Sequence, residues 1–356
     1  MKERVERLKA WMEAQGVDVS VVLKPHDVLY LSGSAPICSG LLLFRQTPPI
    51  EVCIWLDGQT VQKESSFARV IGYRFPEFSM AVKMAELIQK EAGSPKVIGI
   101  EKDYMTARFY DTLVDAFPGA EFVSITRAID EMRAIKTPEE IRYLKNAAVM
   151  ADAGMKAALK AVKPGITEIQ IAGEAEYAMR KAGSEGLAFG TMVASGLRTL
   201  LAHPYASSRK IGKKDLVVID IGAKYKGYSS DLCRTAFTGK PAAEQKKFLK
   251  LMLGAQKAVF DAARPGVKVG EVYAVAEKMF SAHGYDKFIP GDIGYGSGLR
   301  QSEFFPVICR SGQDVLQAGM VVAVFQTTAY LRRIGGIRVE DQIVIQEKGY
   351  TQLSKC

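Results

Sequence analysis

Apolar positions along the first 130 residues fall into two patterns. Short runs, Val17 to Leu23, Gly40 to Phe44, Glu51 to Leu56 and Val97 to Ile100, have the length and composition of strands. Met80 to Ala92 and Tyr104 to Phe117 carry apolar residues at helical spacing and are closed by Gly93-Ser94-Pro95 and Pro118-Gly119. Val5, Leu8 and Met12 fit one face of an opening helix. This alternation predicts an α/β domain over residues 1–130. It holds no evident chemical motif, and its lone His26 reads as a helix-start cap or surface group.

A sharper start signal is Thr137-Pro138-Glu139-Glu140, where Thr137 caps, Pro138 suits the first helical position and Glu140 completes a capping box. Ile141, Leu144, Ala148, Ala151, Met155 and Val162 then predict a long helix, so the boundary falls near Ile129 to Ile135. The segment 131–356 contains an internal repeat. Lys163-Pro164-Gly165 and Arg264-Pro265-Gly266 each precede a helix, and Asp215 to Asp220 matches Met320 to Phe325, at offsets of 101 and 105. Two halves in the same order predict a pseudo-twofold α+β domain with its site where the central strands meet.

At 356 residues with 48% hydrophobic and 24% charged positions, the chain is an ordinary globular protein of two or three domains. No uninterrupted apolar run approaches membrane-span length, and the acid-bearing N-terminus lacks a signal-peptide core, so a cytoplasmic location is expected. Five scattered cysteines without a C-x-x-C pair read as reduced structural thiols. The net charge of +9 comes from short dispersed pairs such as Lys213-Lys214, which argues for solvated surface and against nucleic acid.

Chemistry concentrates in three acids. Asp220 interrupts the apolar run Leu216 to Ile221, and a buried lone carboxylate is costly without a cation or good donors. Asp231 follows after a segment whose Gly227 suits a hairpin, so the two aspartates are expected side by side on paired strands. Glu340 shares a strand face with Arg338. Three such acids suggest a hard-cation site; separate acids paired with Arg234 and Arg338 are the equal alternative.

The runs Arg133 to Ile141, Lys163-Pro164-Gly165, Phe189 to Gly196, His203-Pro204, Asp220 to Gly222, Gly227 to Thr235, Gly319-Met320-Val321 and Gly335 to Asp341 together resemble the catalytic domain of the pita-bread family. That family includes aminopeptidase P, prolidase, methionine aminopeptidase and creatinase. The first domain resembles the N-terminal domain of the aminopeptidase P, prolidase and creatinase branch. The resemblance implies an N-terminal creatinase-like α/β domain and a C-terminal pita-bread domain, and by habit of the family a homodimer.

The resemblance also implies a dinuclear site of two aspartates, one histidine and two glutamates. Asp220, Asp231 and Glu340 match three of these positions. In the G-H-G-x-G motif the histidine is replaced by Tyr295, and the other glutamate is replaced by Phe325, beside Gln326. A further family histidine is Ser302, next to Glu303, while His203 is retained. The lost ligands serve one metal, and the retained three hold the other, so at most one divalent ion (Mn, Co or Zn) is expected. A site without metal is the alternative. Phe325 offers no oxygen, and Tyr295 ligates only as a phenolate.

Three activities follow as implied readings. The first is an Xaa-Pro aminopeptidase- or dipeptidase-like hydrolase of short peptides, weak or atypical, with His203 and Glu303 serving substrate and proton transfer. The second is a metal-independent, creatinase-like C–N hydrolase of a small cationic substrate, with His203 as general base. The third is a non-catalytic binding protein. Tyr295, Arg338 and Tyr228 are the candidate substrate contacts.

Overall fold

The computed structural model describes residues 1–34, 36–76, 79–325 and 331–356, which form two compact units, 1–133 and 134–356. The first unit is built on strands β1 (Val19–Val22), β2 (Ser39–Phe44), β3 (Ile50–Ile54), β4 (Arg69–Tyr73), β5 (Val97–Ile100) and β6 (Glu121–Ser124), in spatial order β4-β3-β2-β1-β5-β6. The central strands are buried throughout, which explains their continuous apolar runs. The edge strands β4 and β6 are only partly buried and carry no such run, so the sequence pattern passes over them. The expected strand from Glu51 to Leu56 stops at Ile54, where Trp55–Asp57 turns into a 3-10 segment.

Helices α1 (Lys2–Gln15), α2 (Pro25–Ser32), α3 (Gly58–Glu64), α4 (Met80–Ala92), α5 (Ala107–Ala116) and α6 (Thr126–Ala134) complete this part of the chain. Val5, Leu8 and Met12 form the buried face of α1. His26 lies in the first turn of α2, where its Nε2 is 3.8 Å from Asp27 Oδ2.

The second unit starts with α7 (Pro138–Ala161), α8 (Glu168–Lys181), β7 (Met192–Ser195), β8 (Leu216–Ile221), the short hairpin β9 (Lys224–Tyr225) and β10 (Tyr228–Ser229), and β11 (Leu232–Phe237). It continues with α9 (Ala243–Ala262), α10 (Val269–Ala282), β12 (Asp292–Gly296), β13 (Glu303–Cys309), β14 (Val321–Val324), β15 (Asp341–Ile345) and β16 (Tyr350–Gln352). Besides the β9-β10 hairpin, a three-stranded sheet, β11-β8-β7, and a five-stranded sheet, β13-β12-β14-β15-β16, carry the strands.

The internal repeat is visible in the hydrogen bonds. Gly165 and Gly266 both adopt left-handed backbone (φ 93° and 86°), and their N–H groups donate to Ile211 and Leu316 at 2.9 Å each. Ile211 N–H donates back to Ile166 O at 2.8 Å, and Leu316 N–H to Val267 O at 2.9 Å. In each half a long helix, a Pro-Gly turn and a shorter helix cover antiparallel strands. Met150, Met155, Ile171 and Met179 pack on Val217 and Ile219, whereas Phe248, Met252, Tyr273 and Phe280 pack with Val322, Val324 and Ile343. The predicted capping box opens α7: Glu140 N–H donates to Thr137 Oγ1 at 3.3 Å, and Thr137 N–H to Glu140 Oε2 at 2.8 Å.

Candidate metal and active site

β8 is the middle strand of its sheet and is buried along its whole length, so period-two alternation sends its side chains into two different cores. Val217 and Ile219 face α7 and α8, whereas Leu216 and Val218 join the core beneath α9 and α10, and Asp220 continues the Leu216–Val218 row. The hairpin turn carries left-handed backbone at Lys226 (φ 50°) and Gly227 (φ 79°), the pattern of a two-residue turn matched to strand twist. It returns the chain as β11, which places Cys233 opposite Asp220 and Leu232 opposite Ile221. Asp231 therefore lies on the Cys233 side of the pleat. Glu340 pairs with Cys233 in turn, with N–H···O bonds of 3.0 and 3.2 Å in the two directions.

The three acids converge. One oxygen from each of Asp220, Asp231 and Glu340 lies within 4.8 Å of the others, and all three side chains are buried. Both oxygens of Asp220, Oδ1 of Asp231 and Oε2 of Glu340 have no hydrogen-bond partner. Burial, reinforced by the neighbouring acids, raises Asp220 and Glu340 well above the ordinary carboxyl range, while the buried guanidinium of Arg338 opposes the rise at Asp220. Asp231 is pushed up by burial to about 7, although its hydrogen bonds with Gln301 and Tyr295 oppose the rise. Four buried carboxylate oxygens without donors are the chemistry of a hard-cation site, so the residues present fit a divalent ion.

Tyr295, on β12, points its hydroxyl into the same cluster, 2.9 Å from Asp231 Oδ2 and 3.1 Å from Glu340 Oε1. Burial first, then the surrounding acids, push its phenol well above the ordinary value, so beside the three acids it stands as a neutral donor. Gln301 completes the arrangement, with its Nε2 2.6 Å from both Asp231 Oδ2 and Tyr295 Oη. Nothing in the sequence pattern marks Gln301. A single amide in the polar loop after Gly298 carries no local signal of its partners.

His203 is exposed and lines a cavity of about 240 Å³ with Phe189, Gly190, Met192, Tyr205, Tyr295, Gln301 and Ser302. Arg338, expected as a substrate contact, is buried: it donates to the carbonyl of Ala202 at 2.8 Å and to that of Leu201, and so secures the loop before His203. Tyr228, expected beside it, donates to Glu140 Oε1 at 2.7 Å and is not among the residues lining the cavity. Glu140 thus caps α7 with one oxygen and fixes Tyr228 with the other. Glu303 lies outside the carboxylate trio, with Oε2 3.6 Å from the buried Lys136 Nζ. Phe325 has left-handed backbone (φ 81°) and stacks on Phe280, with centroids 6.2 Å apart, in the apolar core. Gln326 lies outside the described residues. The alternative pairing of acids with Arg234 is replaced by another: Arg234 Nη2 donates to Asp341 Oδ1 at 2.6 Å. The five cysteines are free.

Comparison with known proteins agrees with this architecture. Residues 142–347 match metallopeptidase family M24, and residues 4–135 match the creatinase/prolidase N-terminal domain. The Xaa-Pro dipeptidase of Pyrococcus furiosus is 32% identical over 100% of this chain and 98% of its own. An uncharacterized peptidase of Bacillus subtilis, YqhT, is 35% identical over 97% of this chain and 96% of its own. The crystal structure of the prolidase from Pyrococcus horikoshii superposes with a TM-score of 0.92 at 30% identity, covering 99% of this chain and 98% of that one. Among the described residues, no helix is long and apolar enough to cross a membrane.

Proposed function

We propose a function from the premise that this chain belongs to metallopeptidase family M24 and carries a creatinase/prolidase N-terminal domain. It is an Xaa-Pro dipeptidase-like hydrolase that works with a single divalent ion, Mn, Co or Zn, held by Asp220, Asp231 and Glu340. The carrying observation is the set of four buried carboxylate oxygens without a donor. Similarity to Xaa-Pro dipeptidases over the full chain supports the substrate class.

Bound there, a divalent ion supplies Lewis-acid polarisation of a carbonyl and activation of water. The chain's own residues do the rest. Phe189, Met192 and Tyr205 give the cavity an apolar wall suited to a proline ring. His203 binds a polar group of the peptide or moves a proton at the scissile bond, and Glu303 is the second acid. Arg338 keeps the His203 loop in place through the carbonyls of Leu201 and Ala202. Replacement of the other metal's ligands by Tyr295 and Phe325 makes the activity slow or atypical. The proposed form is a cytoplasmic homodimer, and light scattering on the purified chain tests the dimer.

Incubation with Ala-Pro and Gly-Pro in Mn²⁺, before and after chelation, tests this reading. Metal-dependent release of proline is expected. The same four oxygens also suit a substrate amine or guanidinium, which favours a second reading: metal-independent hydrolysis of a small cationic substrate with His203 as base. Chelator-resistant hydrolysis of a guanidine supports that reading and overturns the first. Binding without turnover of either class leaves a binding protein.

A further inference from the structure

We infer that Gln301 and Tyr295 form a neutral hydrogen-bonded clamp that aims the carboxylates of Asp231 and Glu340, with Gln301 as the positioning residue. This rests on the single-cation reading above. Counting donors against acceptors gives one wiring that serves both carboxylates. Gln301 Nε2 has two hydrogens and two acceptors at 2.6 Å, Asp231 Oδ2 and Tyr295 Oη. Tyr295 accepts one of them, and its own single proton then has two possible acceptors, Asp231 Oδ2 and Glu340 Oε1. Asp231 Oδ2 already receives the amide, so giving the phenol proton to Glu340 Oε1 serves both carboxylates.

The consequence is directional. Asp231 and Glu340 each have one oxygen held by the clamp, and the other oxygen of each has no partner, like both oxygens of Asp220. The oxygens left over are the ones that can meet a cation. A clamp of neutral groups does this without adding charge to the trio. Partners that orient ligands in this way typically change metal affinity about 10–100-fold when removed.

The test is Mn²⁺ titration of the full chain by calorimetry, with thermal melting in chelator as the check on folding. Gln301→Met keeps the volume and removes both donors; Tyr295→Phe removes the hydroxyl. Each is expected to weaken Mn²⁺ binding at least tenfold, with the chelated melting temperature little changed. The double variant is expected to bind no more weakly than the worse single one, since both break one unit. Unchanged affinity in the single variants, or fully additive losses in the double, overturns the clamp. Absence of Mn²⁺ binding by the unaltered chain instead overturns the single-cation reading, and is recognised by the lack of any binding before substitution.

Discussion

Arg338 donates to the carbonyl of Ala202 at 2.8 Å, so the segment that carries Glu340 also holds the loop that carries His203. The guanidinium is buried, and it also donates to Leu201 O. A lysine keeps the charge but not the two-pronged geometry. Arg338→Lys is therefore expected to cost roughly 3 kcal/mol in urea unfolding. By displacing His203 it should also lower turnover by about 100-fold, with Mn²⁺ affinity moving less than tenfold. Unaltered turnover in a folded variant contradicts the coupling.

Asp220 has no donor on either oxygen and no exposure, so its charge is a liability until a cation arrives. Asp220→Asn should raise the melting temperature in chelator and abolish the gain in melting temperature on adding Mn²⁺. A variant that keeps the full gain from Mn²⁺ rules out Asp220 as a ligand.

The acids also set a pH dependence. Asp231 holds its proton to about pH 7 in the fold, while an unfolded aspartate loses it near 3.8. Between these values the native state binds more protons than the unfolded one, so metal-free stability falls as pH rises. Asp220 and Glu340, raised in the same direction, extend the fall. Chelated protein is expected to melt at progressively lower temperature from pH 4 to 7, whereas Mn²⁺ affinity rises across the same window because the ligands must be ionised. A chelated melting temperature that climbs from pH 4 to 7 contradicts the assignment.

Gly336 opens the segment that leads to Glu340. A methyl group there would lie 1.7 Å from the backbone oxygen of Thr199, and the Gly336 N–H donates to Thr199 Oγ1 at 2.9 Å. Gly336→Ala must push the segment or the Thr199 turn aside. A loss of roughly 3 kcal/mol or more is expected in urea unfolding, together with weakened Mn²⁺ binding. Retained stability would show that the contact yields easily.

Much of this was legible in the sequence, and the reasons are physical. Asp220, Asp231 and Glu340 stand out because a charge inside an apolar strand needs a partner, and the Gly227 turn fixes how two of them meet. The Pro-Gly repeat announces two halves because Gly165 and Gly266 do the same backbone work. Family resemblance supplied the two altered positions, Tyr295 and Phe325. What escaped was side-chain direction. Arg338 and Tyr228 were expected as substrate contacts, and packing turns them to Ala202 and Glu140. Gln301 reaches Asp231 from 70 residues away, and no local pattern encodes such a meeting. The edge strands were lost for another reason, since half-exposed segments carry weak apolar runs.

Metal content of the purified chain, measured by equilibrium dialysis against Mn²⁺ at pH 8, tests the central claim most directly. About one ion per chain, lost on Asp220→Asn, is the expected result. Two ions per chain, or none, contradicts it.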